Sequence, residues 1–109
     1  MSEDRERLVR LQFLDEALEY IKTIESGLLE FIAGSLASKG LDEMLRAVHS
    51  IKGSAAMMSY PQLSHFAHRL EDFLKVIKTR KISTVEEETE QLLLQSVDYL
   101  CQIVAIQRQ

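Results

Sequence analysis

The chain has 109 residues, which leaves room for one domain with a real core, and it carries a formal net charge of −4 without any run of basic residues. Nucleic acids and anionic membranes are bound through clustered Lys and Arg, so this pattern argues against both and favours a protein partner. No apolar stretch approaches the roughly 20 residues of a membrane span, and the charged residues 1–7 are not typical of a signal peptide. We therefore expect a cytoplasmic protein without membrane insertion.

Apolar residues recur at helical spacing along the whole chain, and one proline and four glycines are its only strong helix breakers. The pattern predicts an all-α fold. The first predicted helix runs from about Glu3 to about Gly34, with Glu3 and Asp4 suited to its positive N-terminal end and its opening turns overhanging the bundle. Its apolar stripe consists of Leu11, Leu14, Leu18, Ile21, Leu28 and Phe31.

The two central helices are predicted to form a hairpin. A loop over Gly34–Gly40 precedes a second helix over about Leu41–Met58. A short connection, Ser59–Pro61, leads into a third helix that continues to about Thr79, because proline is tolerated in the first turn of a helix.

Two overlapping capping boxes predict the start of the fourth helix. They pair Ser83 with Glu86 and Thr84 with Glu87, and the helix then runs to about Gln107. Since short loops make sequential helices antiparallel, we expect an up-down-up-down four-helix bundle that forms a single domain over residues 1–109.

A histidine, a lysine and a glycine share one edge of the second predicted helix. At about 100° per residue, His49, Lys52 and Gly53 fall within about a third of the circumference, beside the apolar stripe. An imidazole that is open to solvent, with a cation one turn away and no side chain to block approach, is suited to carry a phosphoryl group.

The predicted hairpin allows a geometric test of this hypothesis. Antiparallel helices bring residues into register whose numbers add to a constant, here about 120 if the turn centres on Tyr60. His49 is then level with Glu71, and Lys52 is level with His68. A carboxylate at Glu71 that accepts the N–H of one imidazole nitrogen would leave the other nitrogen as a nucleophile. The four polar residues are expected to form one cluster.

These residues also carry a family resemblance. Residues 49–55, HSIKGSA, resemble the HxxKG signature of histidine-containing phosphotransfer (HPt) domains. Residues 67–74, AHRLEDFL, and residues 13–17, FLDEA, resemble one branch of that family, the N-terminal P1 domain of the CheA-type chemotaxis histidine kinase. The resemblance spans about Leu11 to Ile77. Ser59 is a departure, because many family members have glycine before an aromatic residue at this position.

The resemblance implies a role for each residue of the cluster. His49 would be the phosphorylated residue, Lys52 would interact with the phosphoryl oxygens, and Gly53 would let the active site of a partner approach. In the CheA branch, the residues that match His68 and Glu71 hydrogen-bond around the phosphorylated imidazole.

The function that this implies is relay rather than catalysis. The chain has no Gly-rich nucleotide loop, P-loop or acidic Mg²⁺ cluster, so we expect no cofactor of its own and ATP and Mg²⁺ supplied by partner domains. The partners implied are the ATP-binding domain of a histidine kinase and the receiver domain of a response regulator, with His49 passing the phosphoryl group from one to an aspartate of the other. We expect a domain that is monomeric in isolation and belongs to a larger CheA-type or hybrid kinase.

Other interpretations of the same residues remain open. The chain could be a free-standing HPt protein, or a pseudo-HPt bundle that docks signalling proteins without being phosphorylated. His65, His68 and Glu71 follow at three-residue spacing, but they spread over about 120° of a helix and lack a matching second helix, which disfavours a metal site. The exposed position of Met57 suits a docking surface or plain filler. Cys101 has no internal disulfide partner and is predicted to be a buried thiol.

Overall fold

The computed structural model describes residues 2–108 and contains α1 (Ser2–Ile32), α2 (Ser38–Met57), α3 (Pro61–Thr79) and α4 (Glu87–Arg108). No strand occurs in that range, so the predicted all-α class is confirmed. Across the same residues, none of the helices combines the length and the apolar character that crossing a membrane would require.

Contacts between the helices follow an antiparallel pattern. Between α2 and α3, Asp42 contacts Lys78 and His49 contacts Glu71, so that residue numbers rise on one helix as they fall on the other. Between α1 and α4, Arg108 near the end of α4 lies 2.8 Å from Asp15 in the first half of α1. This pairing is consistent with the predicted up-down-up-down order.

Each helix turns one apolar stripe toward a shared core. The largest fully buried side chains are Leu14, Ile21, Ile24, Leu28, Met44, Val48, Ile51, Leu63, Leu74, Val97, Leu100 and Val104. Burying each of these larger aliphatic side chains favours folding by about 1.5–3 kcal/mol. Because all four helices contribute, the rotation of α2 and α3 about their axes is set by the core, and their polar edges are held in fixed positions.

The α2–α3 turn closes one end of the core. Phe13 of α1 stacks on Tyr60 in this turn, with ring centroids 5.8 Å apart. Residues 3–10 of α1 are exposed beyond this contact, in agreement with the predicted overhang.

Helix α2 begins at Ser38, earlier than the predicted start at Leu41. Gly40 therefore lies inside the first turn rather than in a loop. A Cβ atom at Gly40 would come within 2.7 Å of Leu36 Cδ1, so the glycine makes room for the side chain of Leu36. The helix accepts a glycine here because packing outweighs its low helix propensity.

The predicted start of α4 is wrong. The helix begins at Glu87, and the carbonyl of Glu86 accepts the N–H of Glu90 at 3.0 Å, so Ser83 and Thr84 lie outside the helix and do not cap it. The intervening segment is non-helical because Ile82 and Val85 pack against the core. Acidic residues do occupy the first turn of α4, where the helix dipole favours them.

Ser59 ends α2 in the left-handed region, with φ of 65°. The N–H of Tyr60 donates to the carbonyl of Ala55 at 2.9 Å, and the N–H of Ser59 donates to that of Ala56 at 3.3 Å. This is a Schellman-type helix end, in which glycine is the favoured residue at the left-handed position. Serine therefore adopts the backbone conformation that a glycine would adopt with less strain.

We predict that Ser59→Gly stabilises the chain. The substitution relieves a left-handed serine and should raise the free energy of unfolding by about 0.5–1 kcal/mol, as measured by urea denaturation. Ser26→Gly is the matched control, because Ser26 is exposed in the interior of α1. There the same change should lower stability by about 0.5 kcal/mol. Destabilisation by both substitutions would contradict the strain at Ser59.

Candidate functional site

His49 projects from α2 with its side chain 67% exposed. Its Nδ1 lies 2.7 Å from Glu71 Oε2 on α3, as the predicted register requires. In a neutral imidazole one nitrogen carries the proton and the other keeps its lone pair. Since a carboxylate can only accept a hydrogen bond, Nδ1 is the donor and Nε2 is the nitrogen with the free lone pair.

Glu71 is the one fully buried polar or charged residue among the side chains that the structure describes, with 3% of its surface exposed. Its two oxygens have separate partners, because Oε2 accepts from His49 and Oε1 accepts from Lys52 Nζ at 2.7 Å. Burial by itself would raise the pKa of Glu71. The hydrogen bonds from Lys52 and His49, together with the charges of Lys52 and Lys75, outweigh burial and hold this pKa below its usual value.

Lys52 lies one helical turn after His49 on α2. The register predicts that it is level with His68, but its amine bonds to Glu71 instead. Side chains on a helix lean toward its N-terminus, so Lys52 and Glu71 on antiparallel helices lean toward each other. The backbone carbonyl of Lys52 also accepts a hydrogen bond from Ser64 Oγ at 3.0 Å, which ties this turn of α2 to the start of α3.

His68 lies one turn before Glu71 on α3, where its Nε2 is 3.3 Å from Asp72 Oδ2. The structure thus brings His49, Lys52 and Glu71 together, while His68, the fourth residue of the predicted cluster, pairs with Asp72. Within residues 2–108, no group of three or more His, Cys, Asp or Glu side chains is arranged to hold a metal ion.

Gly53 follows Lys52 on the exposed edge of α2. A Cβ atom added at Gly53 would meet no atom within 4 Å, so packing inside the chain does not require glycine there. The absence of a side chain instead leaves open space beside His49. One turn further along, Met57 is 86% exposed and continues this face.

Two contributors to the site are not among the residues predicted from the sequence. Lys75 Nζ lies 3.9 Å from Glu71 Oε1, and the i,i+4 spacing of Glu71 and Lys75 was a signal that could have identified it. Ser64 is the other, and its place near the register position of Lys52 was a weaker signal.

Cys101 is partly rather than fully buried, at the edge of the core. Burial raises the pKa of its thiol, and the negative charges of Glu25 and Asp98 raise it further. The thiol therefore stays protonated, which is the state of an unreactive structural cysteine.

Comparison with known proteins gives one family. The family model named Hpt domain matches residues 9–103. The chain is 35% identical to the chemotaxis protein CheA of Treponema pallidum over 88 residues, which cover 81% of this chain and 11% of that protein. It is 30% identical to the chemotaxis protein CheA of Borreliella burgdorferi over 94 residues, which cover 86% of the chain and 11% of the relative. The chain thus spans about a ninth of the length of these relatives. No solved structure matches it significantly.

We predict that Glu71 makes part of the stability pH-dependent. Because its pKa is lowered from 4.5 in the folded chain, its stabilising effect is present above that value and is lost as the pH falls through the lower, folded pKa. Glu71→Gln should reduce the free energy of unfolding by about 1.5–3 kcal/mol at neutral pH. The difference from the parent should shrink steadily in acid, as measured by urea denaturation across the pH range.

Asp42→Asn is the control for this prediction. The pKa of Asp42 is also lowered, first of all by its hydrogen bond from Lys78, but this pair is exposed to solvent. Its removal should change the stability much less than Glu71→Gln does. An equal difference between the parent and Glu71→Gln at neutral and at strongly acidic pH would show that the Glu71 carboxylate is not selectively stabilised.

Proposed function

This chain belongs to the Hpt domain family of phosphotransfer modules in two-component signalling, and we propose that His49 is the residue that carries the phosphoryl group. The observation that carries this proposal is the 2.7 Å contact between His49 Nδ1 and the buried carboxylate of Glu71. It leaves Nε2 unprotonated on an exposed ring, which is the form of histidine that acts as a nucleophile.

The proposed first step takes the phosphoryl group from ATP held by the ATP-binding domain of a histidine kinase. The lone pair of His49 Nε2 attacks the γ-phosphorus, a P–N bond forms, and ADP leaves with the electron pair of the broken P–O bond. Nδ1 keeps its proton, so the ring becomes positively charged as the bond forms. The carboxylate of Glu71 beside Nδ1 stabilises that developing charge.

Lys52 and Gly53 act on the outer side of the ring. Lys52 follows His49 by one helical turn, and we assign its amine, which bonds to Glu71 in this structure, to the phosphoryl oxygens, whose negative charge it stabilises. The open space at Gly53 lets the active site of a partner approach the phosphorus. We assign His68 a secondary orienting role, because its ring must first leave Asp72 to reach the imidazole of His49.

The proposed second step passes the group to a response regulator. An aspartate carboxylate oxygen of its receiver domain attacks the phosphorus, the P–N bond breaks, and its electron pair returns to Nε2. The Mg²⁺ that stabilises this transition state belongs to the partner, as does the ATP of the first step. The chain itself contributes the nucleophile, its orientation and access to it, as one module of a CheA-type kinase.

We predict that His49→Gln abolishes phosphorylation. Incubation with ATP and a CheA-type ATP-binding domain should give acid-labile phosphate on the parent and none on the variant. Because the substitution removes the hydrogen bond from His49 to the buried Glu71, it should also lower the free energy of unfolding, by about 0.5–1.5 kcal/mol. His65→Gln and His68→Gln are the controls and should still take up phosphate. Uptake by His49→Gln would assign another residue, and a parent that takes up none would favour a docking module.

We predict that Gly53 acts through access. Gly53→Ala and Gly53→Gln both remove a glycine from a helix interior and should each stabilise the chain by up to about 1 kcal/mol. Only the longer glutamine side chain should obstruct a partner, so phosphoryl transfer to the receiver domain should be markedly slower in Gly53→Gln than in Gly53→Ala. Equal transfer rates in the two variants would exclude this role.

A further inference from the structure

Two lysines approach the same oxygen of the buried carboxylate. Lys52 Nζ lies 2.7 Å from Glu71 Oε1, and Lys75 Nζ lies 3.9 Å from it. The two differ in exposure, because the side chain of Lys52 is 24% exposed and that of Lys75 is 60% exposed. Lys52 thus makes the hydrogen bond, while Lys75 stands in solvent about 1 Å beyond the length of a charged hydrogen bond.

Phosphorylation of His49 adds a second negatively charged group that can bind these lysines. The phosphoryl group carries negative charge one helical turn from Lys52 and competes for its amine. If Lys52 turns toward the phosphoryl group, its hydrogen bond to Glu71 weakens. A buried carboxylate that loses a cationic partner destabilises the folded chain. A protonated Glu71 would no longer accept the Nδ1 proton as strongly, just when the ring is charged.

Lys75 lies close enough to Glu71 to become its cationic partner. It follows Glu71 by four positions on α3, in the order of charges that favours contact along a helix. The next lysine on α3, Lys78, donates to Asp42 at 2.7 Å and is engaged elsewhere. Lys75 Nζ, at 3.9 Å, needs to move only about 1 Å closer to Oε1 to form a charged hydrogen bond.

We propose that Lys75 is a positioning residue that takes the place of Lys52 on Glu71 when Lys52 turns to the phosphoryl group of His49. This inference rests on the proposed function, because it needs the phosphoryl oxygens to be ligands of Lys52. Glu71 then stays ionised in both states, and His49 Nδ1 keeps its acceptor throughout the transfer.

The first experiment tests the exchange without phosphate. Lys52→Met removes the nearer amine, and Lys75→Met is then made in the parent and in the Lys52→Met background. In the parent, Lys75→Met should raise the unfolding equilibrium constant by less than about threefold. In the Lys52→Met background, the same change should raise it by about tenfold or more, because Glu71 loses its last lysine.

The second experiment uses the phosphorylated parent chain and needs no variant of Lys52. The chain is phosphorylated with ATP and a CheA-type ATP-binding domain, which is then removed, and urea unfolding is measured at mildly alkaline pH, where N-phosphohistidine survives. Lys75→Met should raise the unfolding equilibrium constant of both forms of the chain. The factor should be about three times larger for the phosphorylated chain than for the unphosphorylated chain. Lys75→Arg should restore the parent behaviour, since a guanidinium can also reach the carboxylate.

Lys22→Met is the matched control for both experiments. Like Lys75, Lys22 is an exposed lysine that contacts a glutamate, Glu19, on its own helix. Replacing either lysine by methionine changes the net charge by the same amount. Its effect should be equal in every background and in both phosphorylation states. Equal effects of Lys75→Met in the two backgrounds, or in the two phosphorylation states, would overturn the proposal. Failure of His49 to take up phosphate would instead remove the proposed function, whatever the first experiment shows for Lys75.

Discussion

The buried carboxylate of Glu71 is the interaction on which the site depends. Burial of a lone negative charge is strongly unfavourable, so Glu71 remains ionised only because both of its oxygens accept charged or polar hydrogen bonds from α2. The same two bonds join the helices that carry the reactive groups. One carboxylate therefore links α2 to α3, selects the tautomer of His49 and positions the amine of Lys52. Changing the partners of Glu71 must alter the stability and the chemistry together.

The core provides the geometry that this carboxylate needs. Val48 and Ile51 lie on either side of His49 in the sequence and are both fully buried, so α2 cannot rotate to carry the imidazole away from α3. The Ser64 hydroxyl adds a second tie between the two helices at the carbonyl of Lys52. Helices α1 and α4 contribute to the same core, while the hydrogen bonds that Glu71 accepts come from α2. Helices α2 and α3 therefore carry the residues of the site, and α1 and α4 hold these two helices in place.

The sequence predicted the parts of this arrangement that depend on periodicity. Helical spacing puts His49 on an exposed edge, and a hairpin turn near Tyr60 puts His49 level with Glu71. The register counts backbone levels and ignores the lean of a long side chain along its helix, so it places Lys52 level with His68 but does not show that the Lys52 amine bonds to Glu71. The prediction of capping boxes at the start of α4 is wrong. Ile82 and Val85 gain more by packing on the core than the local motif gains by starting a helix there.

In the function proposed for this chain, the positions of Glu71 and Gly53 relative to His49 separate what the chain supplies from what its partners supply. On the inner side, a buried and ionised carboxylate fixes one imidazole nitrogen, and its environment is complete without any other protein. On the outer side, there is no side chain at Gly53 and nothing for a Cβ to meet, so the other nitrogen faces space that a second protein can fill. Under this proposal, one nucleophile can serve two different active sites in turn, because the missing side chain at Gly53 leaves space for each of them. The groups that stabilise charge on the phosphorus can then differ between the donor and the acceptor, while the histidine and its carboxylate stay the same.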